Sequence, residues 1–552
     1  MAAVTSAAAE PASRDLSRLA RGSALNLAGS VVNAVANFAL IVVITRGLGR
    51  GRAGAFLEAT AMFQILATAG QLGADTGLAR FLPAALVGGR RGDLRHWTRV
   101  AFVPVLVVGV VTGAVAWACA DALGPVVAGS SHGADFTDAF RVLALFVPVG
   151  AAYFVLQTAT RAFGTMVPSV AVERVGRAVT QPLVVLAAVA AGVGPAGLAL
   201  AWIGPYAIAA VPLALWYLIL VRRAERRPDR APPPPSGTAP PSSRGFWSFA
   251  TPRAVAGVFQ VAILWLDVLL VGALAGPADA AVYSASSRWL VVGLFVALAV
   301  NQAFQPQISA MLAAGASDRA EALFRASTAW VVAFVWPIYL TLAVFGGVLV
   351  GVFGRGYEEG ATVLVILAVA GLIGSASGPV DMVLLMGGRS RNNLVNTAAA
   401  LAVNVVANVA LVPRMGVAGA AVAWALSIAV ANGLALVQVR RGVGITPFGP
   451  ALARVAPGTV VSVLVPLGVA RATLGATVAG LVVGLAAAAA LHVALLWRCA
   501  DSLDAGALRK ALRGRRGGPG KAPDPVVPSA VVAGPALPPP APEAVESVEV
   551  QR

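Results

Sequence analysis

The sequence predicts an all-α integral membrane protein of about fourteen transmembrane helices, arranged as two homologous six-helix bundles plus two C-terminal helices. Three observations predict it. The chain is 58% hydrophobic and only 12% charged, whereas soluble globular domains are about 25% charged. Crossing the hydrocarbon core takes about 20 apolar residues. Such stretches centre near Asn33, Gln64, Val108, Val147, Val179, Ala209, Leu264, Leu290, Phe334, Val369, Val403, Ala429, Leu464 and Ala486. Finally, the chain repeats itself. Gly194-Pro195-Ala196-Gly197-Leu198-Ala199-Leu200-Ala201-Trp202 and Gly416-Val417-Ala418-Gly419-Ala420-Ala421-Val422-Ala423-Trp424 lie 222 residues apart and agree at six of nine positions. Ala162-Phe163-Gly164 matches Met386-Gly387-Gly388, and Ala53-Gly54-Ala55-Phe56 matches Ala280-Ala281-Val282-Tyr283, in one order and at nearly one offset. An internal duplication of this size leaves such a trace.

Residues 1–22, Ala-rich and then Arg-bearing, read as a cytoplasmic tail without packed structure. The first bundle occupies 23–221. In its first segment Asn26, Ser30, Asn33 and Asn37 fall within roughly a 60° arc of a helix. Such a stripe must face protein or water, so two readings stand: hydrogen bonds between helices, or the wall of a hydrated cavity. Glu58 lies in the second segment. Pro104, Pro148, Pro182, Pro205 and Pro212 bend segments three to six, as hinges or as plain architecture. Residues 222–245, with Pro232 to Pro235 and Pro240-Pro241, form a Pro/Arg-rich cytoplasmic linker.

The second bundle, 246–438, carries Asp267 in segment seven, Arg288 in eight, Pro337 in nine, Pro379 and Asp381 in ten, and the pair Asn404 and Asn408 in eleven. Six segments per half give both halves one orientation, so their axis runs along the membrane normal. The Gly-x-x-Gly steps at 194–197 and 416–419 suit close helix packing. Segments thirteen and fourteen, within 439–498, are an appendage, and residues 499–552, rich in Pro, Ala, Gly and Val, read as a disordered cytoplasmic tail. The eighth segment, which holds Arg288, and the thirteenth, interrupted by Pro457 and Pro466, are the weakest of the fourteen.

The net charge of +17 invites a nucleic-acid reading, but placement argues otherwise. With the N-terminus inside, the great majority of the 41 Lys and Arg fall on the cytoplasmic side, the positive-inside bias of a polytopic protein with both termini cytoplasmic. No nucleic acid is needed to explain it. The first apolar run is long and leads directly into further segments, so no cleaved signal is expected. Cys119 and Cys499 fall on opposite faces, and no disulfide is expected. Catalysis finds no support: there is no phosphate-cradling Gly-x-x-x-x-Gly-Lys, no His and Cys metal set, and His96, His132 and His492 are scattered.

A charged side chain at a helix centre costs about 2.5–3.5 kcal/mol even on the lenient insertion scale. Glu58, Asp267, Arg288 and Asp381 therefore need a use, and none has a charged counterpart in the other half. Asp267 and Arg288 sit at similar depth on consecutive helices, where a buried pair is open to them. Further arginines gather at helix ends, Arg46, Arg50 and Arg52 outside, Arg80, Arg161, Arg174 and Arg177 inside. The inner group suits anchoring and topology. The outer trio runs against the charge rule, and guanidinium groups suit phosphate.

At Ile44-Thr45-Arg46-Gly47-Leu48-Gly49 through Gly54-Ala55-Phe56, at Leu78-Ala79-Arg80-Phe81-Leu82-Pro83, and at Leu266-Asp267-Val268-Leu269-Leu270-Val271-Gly272 through Val282-Tyr283, the chain resembles the polysaccharide and oligosaccharide (Wzx-like) flippases. These belong to the multidrug/oligosaccharidyl-lipid/polysaccharide (MOP) exporter superfamily. The resemblance implies a MATE/MOP-like pair of bundles around a central cavity. It also implies carriage of a polyprenyl-diphosphate-linked oligosaccharide from the inner to the outer leaflet by alternating access, for surface polysaccharide biosynthesis. On that resemblance Arg46, Arg80 and Arg288 are candidates for the diphosphate and Asn26, Asn33 and Asn37 for sugar. Glu58, Asp267 and Asp381 are candidates for a coupling proton or sodium ion, with no cofactor. Membrane lipids and glycan polymerase or assembly proteins are the implied partners. Two alternatives stay open, a multidrug or cation antiporter of the same superfamily and a lipid II flippase, although segment one carries fewer charges than the latter. The preference for Arg over Lys points to a GC-rich bacterial genome and hence to the bacterial cell membrane.

Overall fold

Each helix begins where the sequence stops the one before. Gly194-Pro195, Gly276-Pro277 and Gly449-Pro450 open the helices Pro195–Glu225, Pro277–Arg288 and Pro450–Leu474 with a non-helical glycine followed by proline at the first helical position, where its missing N–H is not needed. The computed structural model describes residues 28–226, 242–387 and 389–500. Asn26, the tail 1–22, the core of the linker, Gly388 and most of the C-terminal tail lie outside the described residues.

The first half comprises α1 (Ala28–Gly47), α2 (Arg50–Gly70), α3 (Ala74–Val87), α4 (Leu94–Ala118), α5 (Ala120–Val127), α6 (Gly129–Leu145), α7 (Val147–Arg161), a π-helical segment (Ser169–Arg177), α8 (Ala178–Ala190) and α9 (Pro195–Glu225). The second comprises α10 (Ser243–Ala275), α11 (Pro277–Arg288), α12 (Leu290–Ala313), α13 (Ser317–Val350), α14 (Gly360–Ala376), α15 (Val380–Met386), α16 (Ser390–Met415) and α17 (Val417–Gly442). Then follow α18 (Pro450–Leu474) and α19 (Val478–Arg498).

Among the described residues, eleven helical spans are long and apolar enough to cross a membrane. The pair α6 and α7, bent by 54°, makes a twelfth. The broken runs α2–α3 and π-helix–α8 occupy the places of the second and fifth expected segments, so fourteen crossings are compatible with the fold. The eighth segment breaks at Trp289, beside Arg288, and the tenth breaks at Gly378-Pro379. The thirteenth does not break. Pro457 and Pro466 lie inside one 25-residue helix, because freed carbonyls in a packed membrane helix are satisfied locally.

Repeated sequence falls at repeated structure. Gly194 and Gly416 precede α9 and α17, and Gly49 and Gly276 precede α2 and α11. Within the first half α7 packs on α4 and α9; within the second α16 packs on α17 and α13 on α14. The halves meet along α2, which packs against α10 and α11. Helices α18 and α19 pack on each other and on α13. Outer faces stay apolar, as in Val103, Val107, Val110 and Val111 of α4, all exposed.

Since α9 ends and α10 begins at the linker, the bundle has a linker end. The opposite, distal end holds the α1–α2 and α10–α11 junctions.

Candidate functional site

The first half encloses a polar core that sequence reading missed. A π-helix is rare and is enriched at functional sites. Here it brings Ser169, Glu173 and Arg177 into line with Gln181 of α8 at four-residue spacing. Arg177 is 4% exposed. It grips Glu173 with two hydrogen bonds, 2.7 Å from Nε and 2.8 Å from a terminal nitrogen. It also donates to Gln181 at 2.5 Å and lies 4.4 Å above the Tyr206 ring. Tyr153 donates its hydroxyl proton to Glu173, and Gln181 passes the network on to the Trp202 carbonyl at 2.8 Å. Pairing and hydrogen bonding of this kind offset much of the cost of burying a charge.

The stripe on α1 faces this core. Asn33 accepts from Arg177 at 3.3 Å, Asn37 donates to the Asn33 carbonyl at 2.7 Å, and Arg174 donates to Ser30. Close approach is needed: a Cβ on Gly29 would meet Val170 and Arg174 of the π-helix. Arg161 donates to Ser169 at 2.9 and 3.1 Å. Asn33, Asn37, Ser30, Arg161, Glu173 and Arg174 are only half-buried, so the cluster is not sealed from its surroundings. It holds three guanidinium groups against one carboxylate and is net positive. The sequence had placed Arg177 among anchoring residues at a helix end; burial and its partners place it inside the protein. The detectable signal was the i, i+4 pair Glu173 and Arg177, each polar in an otherwise apolar run.

The second half has its own polar core. Asp267, 2% exposed, accepts from the Tyr283 hydroxyl at 2.6 Å and from Asn408 at 2.9 Å, and Asn408 also donates to the Asn404 carbonyl at 2.9 Å. The expected Asp267–Arg288 pair is not formed. Tyr283, five residues before Arg288, takes the carboxylate instead, while the Arg288 guanidinium lies 4.9 Å over Trp265. Its Nε has no hydrogen-bond partner. The Asn404–Asn408 stripe thus meets the acid it was read apart from.

The remaining candidates are dispersed. Glu58 is fully buried against Gly272 of the other half, and neither carboxyl oxygen has a hydrogen-bond partner. Asp381 is exposed in the first turn of α15. Arg80 is exposed near the linker end, 4.3 Å from the Phe249 ring centroid, and Arg253 approaches the same ring at 3.7 Å. Arg46 sits at the distal end, donating Nε to the Val352 carbonyl at 2.7 Å. Arg50, beside Arg46, starts α2, whose 21 residues run about 30 Å at 1.5 Å per residue, and Arg80 lies beyond its far end on α3. The structure does not bring Arg46 and Arg80 together.

No family model matches the chain. It is 25% identical over 197 residues to the probable low-salt glycan biosynthesis flippase Agl15 of Haloferax volcanii, a match covering 34% of this chain and 40% of that one. The match therefore spans two fifths of that relative's length. Among solved structures, the inward-facing conformation of a multidrug resistance MATE family transporter superposes with a TM-score of 0.61 at 14% identity, covering 75% of this chain and 94% of the other. The lipid II flippase MurJ, in an inward closed conformation, gives 0.60 at 9% identity over 86% and 97%. The architecture is the one these MOP-superfamily transporters share, as the sequence resemblance implied.

Proposed function

We propose that this chain, whose fold is that of the MOP superfamily, is a flippase carrying a polyprenyl-diphosphate-linked oligosaccharide from the cytoplasmic to the outer leaflet for surface polysaccharide assembly. The observation that carries this reading is the net-positive, carboxamide-lined core of the first half, whose Asn33, Asn37, Arg161 and Arg174 are only half-buried. Guanidinium groups hold phosphate by paired hydrogen bonds, and Asn33 and Asn37 offer the donors and acceptors that sugar hydroxyls need. The partial match to a glycan flippase supports it. Positive-inside charge supports a cytoplasmic linker end and cytoplasmic termini, and the preference for Arg over Lys supports a bacterial plasma membrane.

The halves would rock about the α2 seam to expose the core first to one side and then to the other. No bond is made or broken, so no catalytic residue or cofactor is required. Depleting the protein in its host and measuring polyprenyl-linked lipids by mass spectrometry tests the reading. Accumulation of a sugar-bearing polyprenyl diphosphate with loss of a surface polymer is expected. An unchanged lipid pool sinks the proposal, and gained sensitivity to cationic drugs in the same cells would move it to the antiporter alternative. Accumulated lipid II would move it to that cargo.

Two substitutions refine the roles. Arg288→Ala should abolish export while leaving the protein inserted, because its guanidinium is held by Trp265 without a carboxylate. Normal export by that variant removes Arg288 from the pathway. If Asp381 carries the coupling ion, Asp381→Asn should uncouple export from the ion gradient in proteoliposomes, and an unchanged gradient dependence excludes it.

A further inference from the structure

At the distal end the two halves enclose a second cationic cleft of ≈620 Å³, apart from the core described above. Arg46 and Arg50 reach it from the α1–α2 junction; Arg355 and Tyr357 reach it from the loop between α13 and α14. Arg46 spends its Nε on the Val352 carbonyl, and no carboxylate among the described residues pairs with Arg46 or Arg355. Arg50 faces Asp279 and Glu359 at 3.7 and 3.8 Å, too long for hydrogen bonds, and its Nε is buried without a partner. Glu358, the one acid lining the cleft, accepts from the Gly356 backbone N–H at 3.1 Å and so serves its own loop.

Tyr357 is the informative residue. It is 1% exposed, lines the cleft, and its hydroxyl is buried with no hydrogen-bond partner. An orphaned buried hydroxyl is a cost that native proteins rarely carry without a use. The loop holds it there with Gly354 and Gly356 at φ of 113° and 86°, and a Cβ on Gly356 would crowd the Arg50 side chain. Three arginines at the end that the charge rule would leave poor in cations need an explanation as well.

We propose that this cleft is a binding site for a phosphate-class anion, a diphosphate by its three guanidinium groups, held by Arg46 and Arg50 of one half and by Arg355 and the Tyr357 hydroxyl of the other. Such a ligand would bridge the halves at the end where cargo leaves. Its source is either the diphosphate of a lipid-linked cargo, which rests on the flippase reading, or free inorganic diphosphate.

The test is calorimetric titration of inorganic pyrophosphate into the purified full chain in nanodiscs. Saturable binding is expected, weakened about tenfold or more by Arg355→Ala and several-fold by Tyr357→Phe, with Thr473→Ala, at an exposed position of α18, as an unaffected control. Tyr357→Phe removes a group that bonds nothing in the empty protein, so folding should not suffer and lost affinity reports ligand contact. Absence of saturable binding to the wild-type chain, or equal binding by both variants, overturns the site while leaving the lipid measurement to judge the flippase reading. Competition by a polyprenyl diphosphate in the nanodisc assigns the site to cargo, and its failure to compete assigns the site to the free anion.

Discussion

Replacing Arg177 with alanine should destabilise the first half by about 3–5 kcal/mol, the range seen when one partner of a buried ion pair is removed, and abolish export. The substitution strands Glu173, leaving its carboxylate with only the Tyr153 hydroxyl, and removes the donor that ties the π-helix to Asn33 of α1. Thermal unfolding in detergent should show a clear loss of melting temperature. The companion Glu173→Gln in the Arg177→Ala background should recover part of it, since the uncompensated charge is then gone. An Arg177→Ala protein as stable as the wild type would mean that the cluster does not hold the bundle together.

Gly54→Leu should trap the chain with its distal seam parted. One face of α2 carries Arg50, Gly54 and Glu58 at four-residue spacing, all turned toward the second half. A Cβ on Gly54 would overlap the carbonyl of Pro277, which is backbone and cannot rotate aside. Overpacking costs about 1–3 kcal/mol where neighbours can yield. Placed on one side of a two-state equilibrium, the upper figure shifts the populations roughly a hundredfold. Spin labels at Val126→Cys and Met415→Cys, exposed positions on opposite halves, should move apart, with Cys119 and Cys499 first replaced by serine. Export should fall with that shift. An unchanged distance distribution would show that the seam accommodates the side chain and does not act as the moving contact.

Both predictions concern residues whose significance the sequence held in unequal measure. Gly54 stood inside a repeated motif, and its match with the stretch beginning at Ala280 was legible. What the glycine is for was not: only the approach of α2 to Pro277 shows it. Arg177 was visible as one arginine among several near a helix end, and charge counting alone assigns such residues to topology. The asparagine stripe of α1 was legible as a face because helical periodicity is local, but which of its two readings applied depended on what lay opposite. The structure supplies the first, with Asn33 and Ser30 bonded to arginines of the π-helix.

Hydropathy, charge placement and internal repetition determined that this is a multi-span membrane protein with two related halves, because each is read along the chain without knowing which segments touch. Family-level motifs pointed to the superfamily fold for the same reason. Partner choice was decided by tertiary structure. Asp267 and Arg288 lie at matching depth, yet helix rotation gives the carboxylate to Tyr283 and Asn408 and the guanidinium to Trp265. A π-helical turn, which no periodicity announced, swings Glu173 and Arg177 into the interior. Depth in a membrane can be counted along a sequence, but the azimuth of each helix is set by how its neighbours pack, and it is azimuth that decides which buried groups meet.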